Sequence, residues 1–215
     1  MFRVLAASLP YLLQGAVMTL WLSAAAVGIG TLLGIAVGVI GTTVSRIART
    51  IVTGYIFVLR GIPVVVVMFL GYYAFPALGL RVNAYVAVGL AQIVYVSAFV
   101  AEITRSAIGS VPANQIAAAR SLGMRRPAIL MQVILPQATR IAIPPLLNNA
   151  LTAIKQTSYA SVVGVWELTY AAREVVERTL AAFQIFLGVM VIYFLICYPL
   201  SLAAKWSEAR LSFSQ

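Results

Sequence analysis

From Leu12 to Ile40 the chain carries no charged side chain, and a second uncharged run extends from Ala181 to Ala203. A helix needs about 20 mostly apolar residues to cross the hydrocarbon core of a bilayer, so each run is long enough to span one. With 62% hydrophobic residues, 9% charged residues and a mean hydropathy of +1.00, the chain is too apolar to hide its surface inside a soluble domain. A membrane β-barrel is excluded as well, because barrel strands alternate polar and apolar residues and these runs are continuous. Sixty-two per cent of 215 residues is about 133, room for about six helices at most.

Composition also removes several chemistries. There is no His and a single cysteine, Cys197, so neither a His or Cys zinc site, a Ser-His-Asp triad nor an internal disulfide can form. Lys155 and Lys205 are the only lysines, and neither follows a glycine as a phosphate-binding loop requires. If the protein uses ATP, another chain must bind it. No metal and no cofactor are expected. The net charge of +10 would point to nucleic acid in a soluble protein. Beside apolar spans it reads as topology and attraction to anionic lipid, so no nucleic-acid partner is expected.

Five spans are expected, at about 12–40, 51–78, 84–103, 144–165 and 181–203, within one transmembrane domain covering residues 1–215. Ala24, Ala25 and Ala26 resemble the cleavage site of a signal peptide. The apolar run continues well past them and only Arg3 supplies a charged start, so a true span is expected. Gly30, Gly34 and Gly38 place small residues on one face of the first span, which favours close helix packing. The second span is interrupted by Arg60-Gly61-Ile62-Pro63, where glycine and proline weaken helix continuity.

An odd number of spans puts the termini on opposite sides. With the C-terminus cytoplasmic, the inner side holds Arg46, Arg49, Arg105, Arg120, Arg125, Arg126, Arg140, Lys205 and Arg210. The outer side holds Arg3, Arg81, Arg173 and Arg178, with Arg60 and Lys155 inside spans. Nine against four supports an outer N-terminus and an inner C-terminus.

The connection 105–143 has its own punctuation. Pro112 can open a short helix running to about Leu122, and Gly123 can end it in the left-handed conformation. A second helix is expected from Pro127, stopping before Pro136, with Pro144-Pro145 restarting the chain into the membrane. From pattern alone this loop could equally be an interfacial amphipathic helix.

Ala117-Ala118-Ala119, then Gly123, then Val133-Ile134-Leu135-Pro136 resembles the E-A-A…G…I-x-L-P signature of permease subunits of ABC importers. The branch it resembles is that for polar amino acids. Gly15 with Thr19-Leu20 is similar to its G-x-x-x-T-L opening, Arg60-Gly61-Ile62-Pro63 to R-G-T-P, and Ala101-Glu102-Ile103-Thr104-Arg105 to A-E-I-x-R. Gln115 matches the glutamine before the E-A-A box. Pro144-Pro145-Leu146 with Asn148, Lys155-Gln156-Thr157-Ser158, and Glu167-Leu168 resemble P-P-L-x-N, K-D-T-S and E-L. The matches run in order from about Leu12 to Ala172. The chain departs from the family at Ala117, where the box has glutamate, at Asn114 for glycine, at Ile62 for threonine and at Gln156 for aspartate.

The resemblance implies an all-α integral membrane protein of the type I ABC importer permease fold: five transmembrane helices with a cytoplasmic coupling helix between the third and fourth. It implies a multi-pass protein of the bacterial inner membrane. Its expected partners are a cytoplasmic ABC ATPase dimer, a second permease subunit (a copy or a relative), an extracytoplasmic substrate-binding protein, and lipid. The residues matched to the ATPase contact are Gln115, Ala117, Ala118, Ala119 and Gly123.

Polar groups inside a span normally face a cavity or another helix. In the fourth span Asn148, Thr152, Lys155 and Tyr159 follow an i, i+4, i+7, i+11 rhythm, with Asn149 and Gln156 on the adjoining stripe. This face, continued by Thr157 and Ser158 and joined by Gln92 and Tyr95 of the third span, is the expected substrate path; its bland alternative is helix-to-helix hydrogen bonding. Arg60 is included in the path if it gates the bend, and otherwise snorkels to the surface. Glu102 with Arg105 reads equally well as an interfacial ion pair. Replacing the family's aspartate by Gln156 while keeping Lys155 makes the local field more positive, favouring an acidic or neutral amino acid over a cationic one. A secondary transporter of small polar solutes is the alternative; against it, Glu102 is the one acid expected within a span, leaving little for ion coupling.

Overall fold

The computed structural model describes residues 3–42 and 45–211, and every regular element among them is helical. Helix α1 runs over Arg3–Ile40, α2 over Arg46–Gly61, α3 over Val64–Ala77 and α4 over Ala84–Gly109. The short α5 (Ala113–Ser121) and α6 (Arg126–Ile129) lead through a π-helical turn, Leu130–Ile134, into α7 (Leu135–Gln156). A 3-10 segment, Thr157–Val163, precedes α8 (Leu168–Thr179) and α9 (Ala182–Leu211).

Four helical stretches are long and apolar enough to cross a membrane: Arg3–Ile40, Ala84–Gly109, Arg126–Val163 and Ala182–Arg210. The second expected span, 51–78, falls on the pair α2 and α3, bent by 105° at its break, and counting that pair as one span brings the number to five. Proline cannot donate to a helical ladder; Pro63 therefore caps α3 instead of continuing α2, with Ile62 extended before it.

The helices extend beyond the expected spans. α1 begins at Arg3 because Pro10 is accommodated inside it. The largest difference concerns the region before the fourth span. Pro136 does not end a helix, and Pro144 and Pro145 do not restart one; a single helical rod runs from Arg126 to Val163. The π turn at Leu130–Ile134 has already interrupted the i to i−4 ladder, and Pro136 falls in the first turn of α7, where an amide hydrogen is not needed.

Glycine sets the closest helix pair. A Cβ on Gly30 would lie 2.9 Å from Val96 Cγ1, one on Gly34 2.5 Å from Val100 Cβ, and one on Gly38 2.7 Å from the Ala101 carbonyl oxygen. The contacts rise together along both chains, so α1 and α4 are parallel. α7 runs antiparallel to them, since Gln92 near the start of α4 reaches Ala153 while Ala107 near its end packs with Ala138 and Ala142. α9 is parallel to α1, with Gly188 against Leu5 and Ile192 in one cluster with Leu12 and Ala16. The ends of α1, α4 and α9 therefore share the side on which α5 lies, and the start of α1 lies on the other.

Candidate functional site

The rhythm read in the fourth span is an exposed face. Asn148, Thr152, Lys155 and Tyr159 are exposed, while Ala150, Ala153, Thr157 and Ala160 on the other side are buried. Asn149, Gln156 and Ser158 are half-buried at its margin. The face survives a change of helix type, because α7 gives way to the 3-10 segment after Gln156. Its hydroxyls bond to backbone: Thr152 donates to the Asn148 carbonyl at 3.0 Å and Ser158 to that of Lys155 at 2.8 Å. Asn148 Nδ2 donates to Glu208 Oε1 of α9 at 3.0 Å. Among the described residues Lys155 has no ion-pair partner. Glu208, which the sequence reading did not single out, thus adds a carboxylate beside this face.

Three residues grouped with the path, Gln92, Tyr95 and Thr157, lie elsewhere, buried behind the face. Gln92 is 1% exposed, and its Nε2 donates to the Ala153 carbonyl at 3.0 Å and to Thr157 Oγ1 at 2.9 Å. The fully buried Thr157 in turn donates to the Ala153 carbonyl at 3.1 Å. A buried amide without partners would be strongly disfavoured in an apolar bundle; this pair satisfies itself by locking α4 to α7. Tyr95, also buried, packs with Val163 and Ala160 and reaches Gln156.

Arg60 closes α2 at the bend and does not join the α7 face. Its Nη1 lies 3.6 Å from Glu102 Oε1, and its guanidinium sits 5.6 Å from the centroid of the Phe99 ring. The other oxygen of Glu102 accepts from Arg105 at 2.7 and 3.1 Å, and Arg105 also donates to Thr53 Oγ1 at 3.2 Å. The R-G-x-P and A-E-I-x-R segments therefore meet around one carboxylate.

A third assembly joins both ends of the chain. Glu167 is fully buried and caps α8, accepting at Oε1 from the Thr169 and Tyr170 amides at 2.8 and 3.0 Å. Its Oε2 accepts from Thr19 Oγ1 at 3.0 Å and Tyr193 OH at 3.2 Å. Burial raises the pKa of the Glu167 carboxyl above its ordinary value, and the capping amides oppose that rise. Gly15 lets the strands of this knot approach: a Cβ there would lie 2.9 Å from Leu168 Cα. Beside it, Tyr11 donates to Glu174, and Trp166 Nε1 donates to Tyr11 OH at 3.0 Å and to Glu174 at 3.1 Å. The G-x-x-x-T-L and E-L segments were visible in the sequence, but α8 and its knot were not.

The loop helix is α5, capped by Pro112 and Leu122. Gly123 adopts φ +75°, its amide donates to the Arg120 carbonyl at 2.9 Å, and the Met124 amide donates to the Ala119 carbonyl at 3.2 Å. That pair of bonds is a Schellman ending, which satisfies carbonyls the helix would otherwise leave free. Gln115 accepts from Gln137 Nε2 at 2.6 Å and so ties α5 to α7. Ala117 and Ala118 are exposed, whereas Ala119 is buried. Leu122, 82% exposed, extends the outward surface.

A multi-span helical bundle that projects a short, doubly terminated helix from one side has the architecture of a membrane transport subunit. Residues 26–213 match the family described as binding-protein-dependent transport system inner membrane component, and the chain belongs to that family. It is 37% identical over 193 residues to a probable glutamine ABC transporter permease protein, GlnM, of Bacillus subtilis (strain 168), covering 90% of this chain and 89% of that protein. The glutamine transport system permease protein GlnP of Escherichia coli (strain K12) is 34% identical over 206 residues, 95% of this chain and 94% of the relative. The fold superposes on the crystal structure of an amino acid ABC transporter with histidines with a TM-score of 0.91, at 31% identity and 98% coverage of both chains. An inward-facing structure of the MetNI methionine ABC transporter, 18% identical, shares the fold with a TM-score of 0.76 and covers 95% of this chain and 97% of its own.

The chain is therefore a multi-pass permease subunit of the inner membrane with the type I fold, and it is not an enzyme: ATP hydrolysis belongs to a separate subunit. Family members work with an ATPase and a substrate-binding protein. The secondary-transporter alternative falls with this membership.

Proposed function

We propose that this subunit carries a polar amino acid into the cytoplasm along the exposed face of α7, in the single transmembrane domain formed by residues 1–215. The observation that carries the reading is Lys155, a cation with no ion-pair partner among the described residues, on an otherwise polar face within a membrane-crossing helix. Asn148, Asn149, Thr152, Gln156, Ser158 and Tyr159 share that face or its margin. Gln92, Tyr95 and Thr157 act on the path by holding α4 and the 3-10 segment in register behind it. Arg60 stands outside it. A charge facing lipid at the centre of a span is disfavoured by about 2.5 to 3.5 kcal/mol, which supports a polar partner opposite Lys155: a second permease subunit and the substrate passing between them.

With Lys155 kept and Gln156 neutral, the face favours a carboxylate-bearing acidic or neutral amino acid over a cationic one. Relatives whose names specify glutamine or L-cystine support the neutral side of that class. The nine-to-four distribution of basic residues supports an outer N-terminus and an inner C-terminus, with α5 facing a cytoplasmic ATPase dimer. There Gln115, Ala117, Ala118 and Gly123 form or fix the docking surface, with Ala119 packed beneath it. Closure of the ATPase pair then moves α5, and the tie between Gln115 and Gln137 passes the movement to the rod that carries Lys155.

Uptake of labelled glutamine, glutamate and arginine into vesicles holding the assembled transporter tests this. Glutamine or glutamate uptake that stops when ATP hydrolysis is blocked is expected. A preference for arginine overturns the substrate class, and uptake that persists without ATP hydrolysis overturns the mechanism.

A further inference from the structure

We propose that the groove between α2 and α4 binds the phosphodiester headgroup of an anionic phospholipid. The groove is an open cavity of about 460 Å³ bordered by Thr53, Ile56, Phe57, Arg60, Glu102 and Arg105. Two guanidiniums face one carboxylate there. Arg105 places two nitrogens on Glu102 Oε2, while Arg60 stands off at 3.6 Å from Oε1 and is about half exposed. Among the described residues one positive charge of this cluster is uncompensated, on the arginine with the looser partner. A planar guanidinium pairs with two oxygens of a phosphate as readily as with a carboxylate.

Position identifies the source of the anion. Arg105 and Glu102 precede the end of α4 at Gly109 by four and seven residues, or about 6 and 10 Å of helix. With the end of α4 taken as the membrane surface, that depth lies at the boundary between headgroups and hydrocarbon, given interfacial layers of about 5 to 7 Å. α2 enters from the side shared by the ends of α1 and α4, with Arg46 at its start. It turns Ile47, Ile51, Phe57 and Val58 outward, Phe57 being 79% exposed. An apolar outer surface beside an arginine suits an acyl chain below its phosphate. Basic pockets between helices near the cytoplasmic surface take anionic headgroups in this way. The residues bordering the groove include none from α7 or the 3-10 segment, so it is distinct from the proposed amino-acid path.

Native mass spectrometry of the full chain, in the assembly in which it purifies from lipid nanodiscs, tests the site. Phosphatidylglycerol is expected to be retained in preference to phosphatidylcholine. Arg60→Gln should weaken that retention about fivefold, the effect of one basic residue at an anionic surface. Glu102→Gln, which removes the competing carboxylate, should strengthen it, and a gain cannot arise from misfolding. Arg46→Gln, on the same helix but outside the groove, should leave it unchanged. Equal losses in Arg46→Gln and Arg60→Gln, or no gain in Glu102→Gln, would reduce the effect to diffuse surface charge and overturn the proposal. Inorganic phosphate titrated into the sample should not displace the lipid; displacement would assign the groove to free phosphate instead.

Discussion

Thr19 and Glu167, 148 residues apart in sequence, share a buried hydrogen bond of 3.0 Å that joins the first span to the cap of α8. The same threonine oxygen accepts from the Leu168 amide at 3.1 Å, so one side chain serves both the carboxylate and the helix it caps. With Tyr193 donating from α9, three elements from distant parts of the chain converge on Glu167.

Removing that carboxylate strands two capping amides and two hydroxyls at once. Glu167→Ala should destabilise the subunit by about 3 kcal/mol, combining a lost N-cap with buried donors left without acceptors. Glu167→Gln keeps an acceptor oxygen for the cap, and burial already disfavours the charged form, so its loss should be much smaller. Thermal melting of the detergent-solubilised assembly compares the two; equal loss in both variants would show that charge, and not hydrogen-bond satisfaction, holds the knot.

The seam between α1 and α4 allows a matched pair of substitutions. Gly34→Ala places a Cβ 2.5 Å from Val100 Cβ and 2.6 Å from the Ser97 carbonyl oxygen, so the helices must separate. A loss of about 1 to 3 kcal/mol is expected from such overpacking. Gly28→Ala meets nothing within 4 Å and should be tolerated, with a small gain in helix propensity. Folded yield and melting temperature check both.

Gly123 is held at φ +75° with open space where a Cβ would stand, so substitution there acts through the backbone alone. A β-branched residue is disfavoured in that conformation by about 1 to 2 kcal/mol, whereas asparagine tolerates it. Gly123→Val should unwind the end of α5 and lower substrate moved per ATP hydrolysed while the protein remains inserted. Gly123→Asn should keep coupling near that of the unaltered protein. Transport and ATPase rates measured on one reconstituted sample give the ratio; unchanged coupling in Gly123→Val would argue against a rigid lever.

What the sequence revealed was local or periodic. Gly30, Gly34 and Gly38 announced the α1 seam because their spacing alone selects one helix face, and Pro112 with Gly123 announced α5 because each residue type has a preferred helix end. The rod from Arg126 to Val163 was hidden: prolines argue for breaks, yet four of them lie within it, and the π turn places Pro136 in the first turn of α7. Gln92 and Lys155 looked alike as polar residues in spans. Only tertiary placement separates them, since Gln92 finds Thr157 across a helix interface while Lys155 projects from an exposed face. α8 was missed because its amphipathic pattern gains meaning from the caps and partners that Thr19 and Tyr193 bring from elsewhere.

Lys155 sets the charge of that exposed face. Lys155 stands seven residues, about 10 Å of helix rise, from Asn148, whose amide is held by Glu208. No ion pair joins Lys155 to Glu208 among the described residues, so Lys155 acts on its own surroundings. Lys155→Glu reverses the field there while adding no bulk to a site that is already open. Uptake of acidic and neutral amino acids should fall relative to arginine by about tenfold or more, the ratio corresponding to roughly 1.4 kcal/mol of differential interaction. Lys155→Gln should move the ratio in the same direction by a smaller amount. Competition assays with labelled substrates on the assembled transporter read the ratio directly. A uniform loss of all three uptakes would assign Lys155 to assembly and remove it from the substrate path.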